Sequence, residues 1–358
     1  MRLLRLVARG FRNLAPADLQ VPERGLALLG PNGAGKTNLL EAVYYSVLFR
    51  SFRGATDAEL AGFGADGFAV EVEWGGSPAR TASTTYHAAT KEKRVRVDGV
   101  PERRLQRAAG QWLAVAFLPT DTALAAGPPS GRRQYLDRLL SLSDPAYLGA
   151  LSRYRAALAQ RNAALRQGQL DPARAFEPSL SEAGAELVRA RIRWSSGAGT
   201  AFAAEFEGLG EAEATGLGYS GRVELADVGA WGPLMREVEA RDRARGMTTV
   251  GPHRDDLRLT IGGRPLRDFG STGQQRSAAI ALKLLELGTL RAARGEEPAL
   301  ILDDVFAELD RDRQQRLAAR LTDGGVRQAL LSAPRPEEIP ANLGLPVWRV
   351  DAGRVTAA

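Results

Sequence analysis

LALLGPNGAGKTNLLEAVYYSVLF, residues 26–49, is the stretch on which the fold turns. An apolar run, LALLG, reads as a buried strand. A glycine-rich turn follows, and then an apolar segment of helical length. GPNGAGKT, residues 30–37, fits G-x-x-x-x-G-K-[ST] at Gly30, Gly35, Lys36 and Thr37. Glycines let backbone N–H groups curl around a phosphate, the lysine reaches the β- and γ-phosphates, and the threonine hydroxyl ligates Mg²⁺. The motif stands in the strand–loop–helix context that this chemistry needs. Gly30, Pro31, Asn32, Gly33, Ala34, Gly35, Lys36, Thr37 and Asn38 are therefore the candidate nucleotide-contacting residues.

A P-loop calls for a carboxylate at the end of a neighbouring strand. ALILDDV, residues 299–305, supplies it: four apolar residues deliver Asp303 to a strand end. Asp303 is the candidate Mg²⁺ ligand together with Thr37. Asp304, one residue on, is placed to orient or deprotonate an attacking water, so Asp304, Asp303 and Lys36 form the candidate catalytic set. ELD, 308–310, continues the loop, with Asp310 as a helix N-cap or a subunit contact.

A second anion-seeking feature lies at FGSTGQQRSA, residues 269–278. A donor-rich turn with Ser271, Thr272 and Gly273 opens a helix, SAAIALKLLELGTL, and a helix N-terminus attracts negative charge. Two copies of the chain placed head to tail would let each such turn cover the nucleotide in the other copy's P-loop. Ser271, Gly273 and Gln274 are thus candidate ATP contacts in trans, and ATP would join a homodimer.

The texture changes along the chain. Residues 1–29 read as strand, turn, strand. Residues 67–100 read as β-hairpins, ending in a DG turn at 98–99. GQWLAVAFLP reads as a buried strand. GPPSGRR, 127–133, is a break, and helical spacing follows: Leu151, Leu158 and Leu165 recur with Tyr154 between the first two. GQLDP and FEPSL interrupt it before a second helical stretch, SLSEAGAELVRARIRWSSGAGTAFAAEFEGL. This predicts an antiparallel arm. From about 247 the β texture returns. The expected organisation is an α/β P-loop ATPase head in two parts, 1–126 and 247–358, with a helical arm inserted at 127–246.

Bulk composition narrows the class. The chain has 358 residues, 44% hydrophobic and 25% charged, with a net charge of +6. No apolar run reaches the ~18–20 residues of a membrane helix, and the arginine-broken MRLLRLVARGF lacks a signal-peptide core; the expectation is a cytoplasmic protein with no membrane partner. The absence of cysteine excludes disulfides, thiol catalysis and cysteine-built zinc sites, and His87 and His253 are too few for a histidine-rich metal centre. Only four of the 48 basic residues are lysine: Lys36, Lys91, Lys93 and Lys283. The positive balance favours acidic partners, nucleic acid first.

Taken together, ARGFRNL (8–14), GPNGAGKTNLLEAVY (30–44), PPSGRRQYLDRLL (128–140), YRAALAQRNAALR (154–166), GPHRDDL (251–257), STGQQRS (271–277) and LDDVFAELD (302–310) resemble the ABC-type ATPase heads of the SMC/RecF group. Within it the chain is similar to the RecF family over nearly its full length, because other ABC heads lack GRRQYLDRLL and the QRN run. The resemblance implies an ATP-dependent DNA-binding protein of recombinational repair that recognises gapped DNA, works with RecR and RecO, and helps load RecA on single strands. The family's nucleotide residues correspond here to Lys36, Thr37, Ser271, Gly273, Gln274, Asp303 and Asp304. Departures are visible too. Thr272 stands where many ABC proteins have Gly or Arg. FLPTD, 117–121, has no glutamine at the place of the Q-loop, leaving Asp121. LLSA offers Ser332 where a transporter has its switch histidine. Asp304 replaces the usual glutamate, which implies slow hydrolysis and a timed clamp.

No helix-turn-helix or zinc finger is visible. KEKRVRVDGVPERRLQR, 91–107, carries seven Lys/Arg against three Asp/Glu. Its alternation as a strand makes Lys91, Lys93, Arg94 and Arg96 the candidate phosphate contacts on double-stranded DNA or gap junctions, against the bland alternative of a solvated edge hairpin. Arg153, Arg155 and Arg161 on the arm compete for the role. An ABC subunit of another assembly, a transporter or an SMC-like tether, is the alternative function. A small-substrate P-loop kinase would leave the 269–278 turn unexplained.

Overall fold

Four of the parallel strands of the head are apolar over nearly their whole length, because both of their faces are covered. A computed structural model of the chain, describing residues 1–75 and 78–357, places LALL, ALILD, ALLSA and AVAF in one six-stranded sheet. Its order is Arg354–Ala357, Val347–Asp351, Gly25–Leu29, Ala329–Ala333, Ala299–Asp303, Ala114–Phe117, parallel except for the first hairpin. A second six-stranded sheet is antiparallel, in the order Ala17–Gln20, Leu3–Arg9, Gly67–Gly75, Ala79–His87, Glu92–Val97, Val100–Glu102. Here the alternation is clean: Phe68, Val70, Val72 and Trp74 are buried while their neighbours are not. Asp98 and Gly99 both take positive φ, at 51° and 76°, the geometry of the two-residue hairpin turn read from the sequence.

Helix Lys36–Leu48 packs against strands of both sheets. That explains why NLLEAVYYSVL has no polar face: Leu39, Leu40, Ala42, Val43, Tyr44, Tyr45 and Val47 are all buried. Tyr45, Phe68 and Phe11 meet edge to face, with centroids 5.3–6.1 Å apart.

The chain forms two compact units, Met1–Asp121 with Gly208–Gly210 and Glu286–Ala358, and Thr122–Glu207 with Glu211–Leu285. The first contains both large sheets. The second contains helices Pro129–Ser143, Pro145–Arg166 and Trp231–Arg245, most of Glu177–Gly208, and a small sheet. The strand Asp256–Ile261 pairs antiparallel with Thr215–Ser220 and with Arg264–Pro265, so the β texture after 247 builds a sheet of the second unit. A division by texture places 247–285 with the head. The division by packing places it with the arm.

The arm is antiparallel. Arg161 pairs with Glu177 and Arg153 with Glu186, so one helix is followed backward as the other runs forward. FEPSL does not break the second helix but opens it. Pro178 sits in the first turn of Glu177–Gly208, where a missing N–H costs nothing.

The RecF-like middle blocks meet in a buried polar network of this second unit. Arg132 forks onto Asp256 at 2.8 and 2.9 Å. Arg191, 2% exposed, holds Asp137 at 2.7 Å and Asp255 at 3.4 Å, and donates to the Pro252 carbonyl. Arg161, 1% exposed, bonds Asp242 and Thr248 at 2.8 Å each. Every such charge is paired and hydrogen-bonded, as burial requires.

Candidate ATP site

Strand order creates the site. Ala329–Ala333 lies between the P-loop strand and the strand that ends in Asp303, with Ser332 opposite Leu28 on one side and Asp303 on the other. The P-loop, Ser332 and the Asp303–Asp304 pair therefore share the carboxyl edge of a parallel sheet, where open α/β sheets bind ligands.

Gly30 has no room for a side chain: a Cβ there would lie 2.2 Å from the Val350 carbonyl oxygen. Lys36 is 4% exposed, and its ammonium donates to the carbonyls of Gly30 at 2.8 Å and Pro31 at 3.3 Å. Thr37 Oγ1 donates to Asp303 Oδ1 at 2.8 Å. Ser332 Oγ lies 2.8 Å from that same oxygen and 2.9 Å from Asp304 Oδ1, and it accepts the Asp304 N–H at 2.9 Å. Burial pushes the Asp303 carboxyl above its ordinary range, and the Thr37 and Ser332 hydroxyls oppose that by bonding its charged form. Asp304 sits at φ 50°, a left-handed conformation that a non-glycine residue holds only under constraint.

A hydroxyl and a carboxylate side by side are the hard oxygen donors that Mg²⁺ takes alongside phosphate oxygens. Thr37 and Asp303 fit that ion, and it would supply charge neutralisation on the phosphates.

The 269–278 turn is a capping box at the head of helix Thr272–Arg294. Ser271 Oγ accepts the Gln274 N–H at 3.2 Å, and Gln274 Oε1 accepts the Ser271 N–H at 2.9 Å. The Gln274 side chain is thus committed to the helix start. The N–H groups of Thr272 and Gly273 belong to a helix end, where no helix carbonyl reaches them. Ser271 and Thr272 are exposed. Asp310 caps the helix Arg311–Asp323 through the Arg313 N–H. Asp121 accepts the Leu118 N–H at 2.7 Å and so braces its own turn.

Sequence reasoning passed over several residues around the loop. Asn13 Nδ2 donates to the Gly33 carbonyl, and Asn38, a candidate contact, donates to Asn13 Oδ1 and accepts from Arg53. Glu41, fully buried, gathers Arg12 at 3.0 Å and the Ser51 hydroxyl. ARGFRNL and NLLEAVY contain Arg12, Asn13, Asn38 and Glu41, but no spacing rule says that they meet each other or Ser51 and Arg53.

The basic candidates are not all on one face. Glu92–Val97 alternates, so Arg94 and Arg96 point to solvent opposite Thr85 and Ser83, while Lys93 points inward. Lys93 donates to the Phe49 carbonyl, pairs with Asp57 at 3.2 Å and covers the Tyr45 ring at 4.9 Å. Lys93 is therefore a structural cation rather than a phosphate contact. Burial lowers its pKa accordingly. Lys91 is exposed, and Arg94 is exposed beside Glu92. On the arm, Arg161 is excluded by burial. Arg153 and Arg155 are half-exposed and paired with Glu186 and Asp137.

Among proteins of known identity, the DNA replication and repair protein RecF of Anaeromyxobacter sp. strain Fw109-5 is 40% identical over 332 residues, 90% of this chain and 89% of its own length. The chain belongs to the RecF family. The RecF of Deinococcus radiodurans is 36% identical over 364 residues, covering 99% of this chain and 96% of that protein. A solved structure of the recombination mediator protein RecF with ATP, in the RecFOR pathway, superposes with TM-score 0.90 at 27% identity, over 100% of this chain and 97% of that one. An Smc head bound to the winged-helix domain of ScpA matches at TM-score 0.60 and 13% identity, a likeness of fold alone. The fold is thus the ABC-type head shared by the RecF family and Smc heads, carrying a helical insertion. A scan against protein-family models gave no match. No helix among the described residues is long and apolar enough to cross a membrane.

Proposed function

We propose that this chain is an ATP-dependent DNA-binding protein of recombinational repair and a weak, DNA-stimulated ATPase. ATP and Mg²⁺ bind at the P-loop, with Lys36 on the β- and γ-phosphates and Thr37 and Asp303 on the metal. The 271–274 turn of a second copy completes the site, so ATP makes a homodimer that clamps double-stranded or gapped DNA. With RecR and RecO the clamp helps load RecA onto single strands. The observation that carries the reading is the Thr37–Asp303–Ser332–Asp304 cluster beside a P-loop, in a chain whose relatives are named RecF. A solved relative that binds ATP and is placed in the RecFOR pathway supports it.

Asp304 is the base or water-orienting group in this scheme, and Ser332 holds it. Asp reaches less far than Glu, and a hydroxyl donates one proton where an imidazole can also exchange one, so hydrolysis is slow. Arg94 and Arg96 on the solvent face of the antiparallel sheet, with Lys91 at its turn, contact phosphates without reading bases.

Molar mass by light scattering with Mg²⁺ and a non-hydrolysable ATP analogue tests the core of this scheme. The wild type should double in mass, and Lys36→Ala and Ser271→Arg should not. A monomer at every nucleotide concentration, with ATP bound, would remove the trans role of the 271–274 turn.

A further inference from the structure

A loop that turns its N–H groups toward a phosphate turns its carbonyls away from it, and those carbonyls need partners elsewhere. The structure names the partners. The Gly30 and Pro31 carbonyls accept from the Lys36 ammonium. Gly35 accepts from the Leu39 N–H, the first bond of the helix, at 2.9 Å. The two carbonyls at the crown of the loop are held from outside it. Gly33 accepts from Asn13 Nδ2 at 3.1 Å, and Ala34 accepts from the Gly353 N–H at 2.8 Å.

These two outside donors form one brace. Ala15 N–H donates to the Gly353 carbonyl at 3.0 Å, which ties the segment after Asn13 to the turn between Val347–Asp351 and Arg354–Ala357. Gly353 sits at φ 78°, and a Cβ there would lie 1.9 Å from the Asn13 carbonyl oxygen, so no other residue fits the approach. Asn13 is fixed from its other side by Asn38 Nδ2 at 2.7 Å, in the first turn of the P-loop helix.

The ties differ in what nucleotide does to them. The Lys36 ammonium is the group that a triphosphate recruits, so its bonds to Gly30 and Pro31 compete with ligand. The Asn13 and Gly353 bonds lie on the carbonyl side and do not. The geometry points to Asn13 and Gly353 as positioning residues: they hold the Gly33 and Ala34 peptide planes with carbonyls outward, and so set the affinity of the loop for polyphosphate. This rests on the reading of the loop as the ATP site.

The test is titration of the full-length protein with a fluorescent ATP analogue, followed by displacement with inorganic tripolyphosphate, alongside urea unfolding. The Asn13 side chain is exposed, so Asn13→Ala should keep the wild-type unfolding midpoint while the affinities for the ATP analogue and for tripolyphosphate both fall about tenfold, the loss of one orienting hydrogen bond. Thr356→Ala, exposed in the same hairpin but without a bond to the loop, should bind as wild type does. Gly353→Ala should be weaker still, and if it does not fold, Asn13→Ala decides. Wild-type binding with Asn13→Ala affinities within twofold of it overturns the brace alone. A wild type that binds neither the analogue nor tripolyphosphate overturns the reading of the site, and the brace with it.

Discussion

Replacing Ser332 by alanine is expected to slow ATP hydrolysis by roughly 10- to 150-fold while ATP affinity stays within about threefold. The hydroxyl has three neighbours: Asp303 Oδ1 at 2.8 Å, Asp304 Oδ1 at 2.9 Å, and the Asp304 N–H that it accepts at 2.9 Å. It has one proton, so it donates to one carboxylate at a time, and in either state it tethers Asp304 through that residue's N–H. Removing it deprives a largely buried carboxylate of one of its two neutral donors and releases the main-chain bond that holds Asp304 at φ 50°. A hydrogen bond to a charged group contributes about 1.5–3 kcal/mol. At ~1.4 kcal/mol per factor of ten, that corresponds to roughly 10- to 150-fold in rate if the whole loss falls on the hydrolytic step. Lys36 and the loop backbone, which hold the phosphates in the proposed scheme, are untouched. Single-turnover hydrolysis with Mg²⁺ measures the rate, and titration with a fluorescent ATP analogue measures binding. Hydrolysis within twofold of wild type, with binding intact, would refute the reasoning. A loss of binding in place of rate would mean that Ser332 supports the metal position rather than Asp304.

Two further outcomes follow from side chains away from the cluster. His253 Nε2 donates to the Thr248 carbonyl, Nδ1 accepts from the Tyr154 hydroxyl, and burial, with Arg254 and Arg133 adding to it, pushes its pKa down to about 4. Since the unfolded value is higher, near 6.5, the unfolded chain takes up the proton first. Stability is therefore complete above pH 6.5 and falls as pH drops toward 4, by about 3 kcal/mol over that window. Urea midpoints followed by the fluorescence of Trp231, which packs on Tyr154, should show this slope in wild type and lose most of it in His253→Gln; equal slopes would count against it. On the antiparallel sheet, Arg94→Ala and Arg96→Ala should each shallow the salt dependence of DNA binding by about one unit of log–log slope. Lys93→Ala should leave that slope alone and lower the unfolding midpoint instead, because its ammonium serves Phe49, Asp57 and Tyr45; a shallower slope in Lys93→Ala would reverse the assignment.

The candidate nucleotide residues were legible because the motif that carries them is local. Gly30 to Thr37 needs a strand before it and a helix after it, and both are adjacent in sequence. Asp303 announces itself by ending an apolar run. The antiparallel arm was legible from its spacing, though the buried position at Arg161 was not. A charged residue on an apolar stripe reads as solvated until Asp242 and Thr248, far along the chain, are seen to enclose it. Thr215–Ser220 escaped notice for a related reason. Its two glycines weaken any strand signal, and only pairing with Asp256–Ile261 stabilises it.

The sequence by itself determined the family, the strand–loop–helix around Gly30 to Thr37 and the strand that ends in Asp303, because each rests on residues within a few positions of one another. Tertiary structure decided the rest. It chose which face of Glu92–Val97 meets solvent, turning Lys93 inward and Arg94 and Arg96 outward, since a strand's alternation fixes two faces but not which one is covered. It brought Ser332 between the P-loop strand and Asp303, because strand order in a parallel sheet is set by crossovers rather than by adjacency. It also closed Asn13 and Gly353, from opposite ends of the chain, onto carbonyls that the loop cannot satisfy by itself.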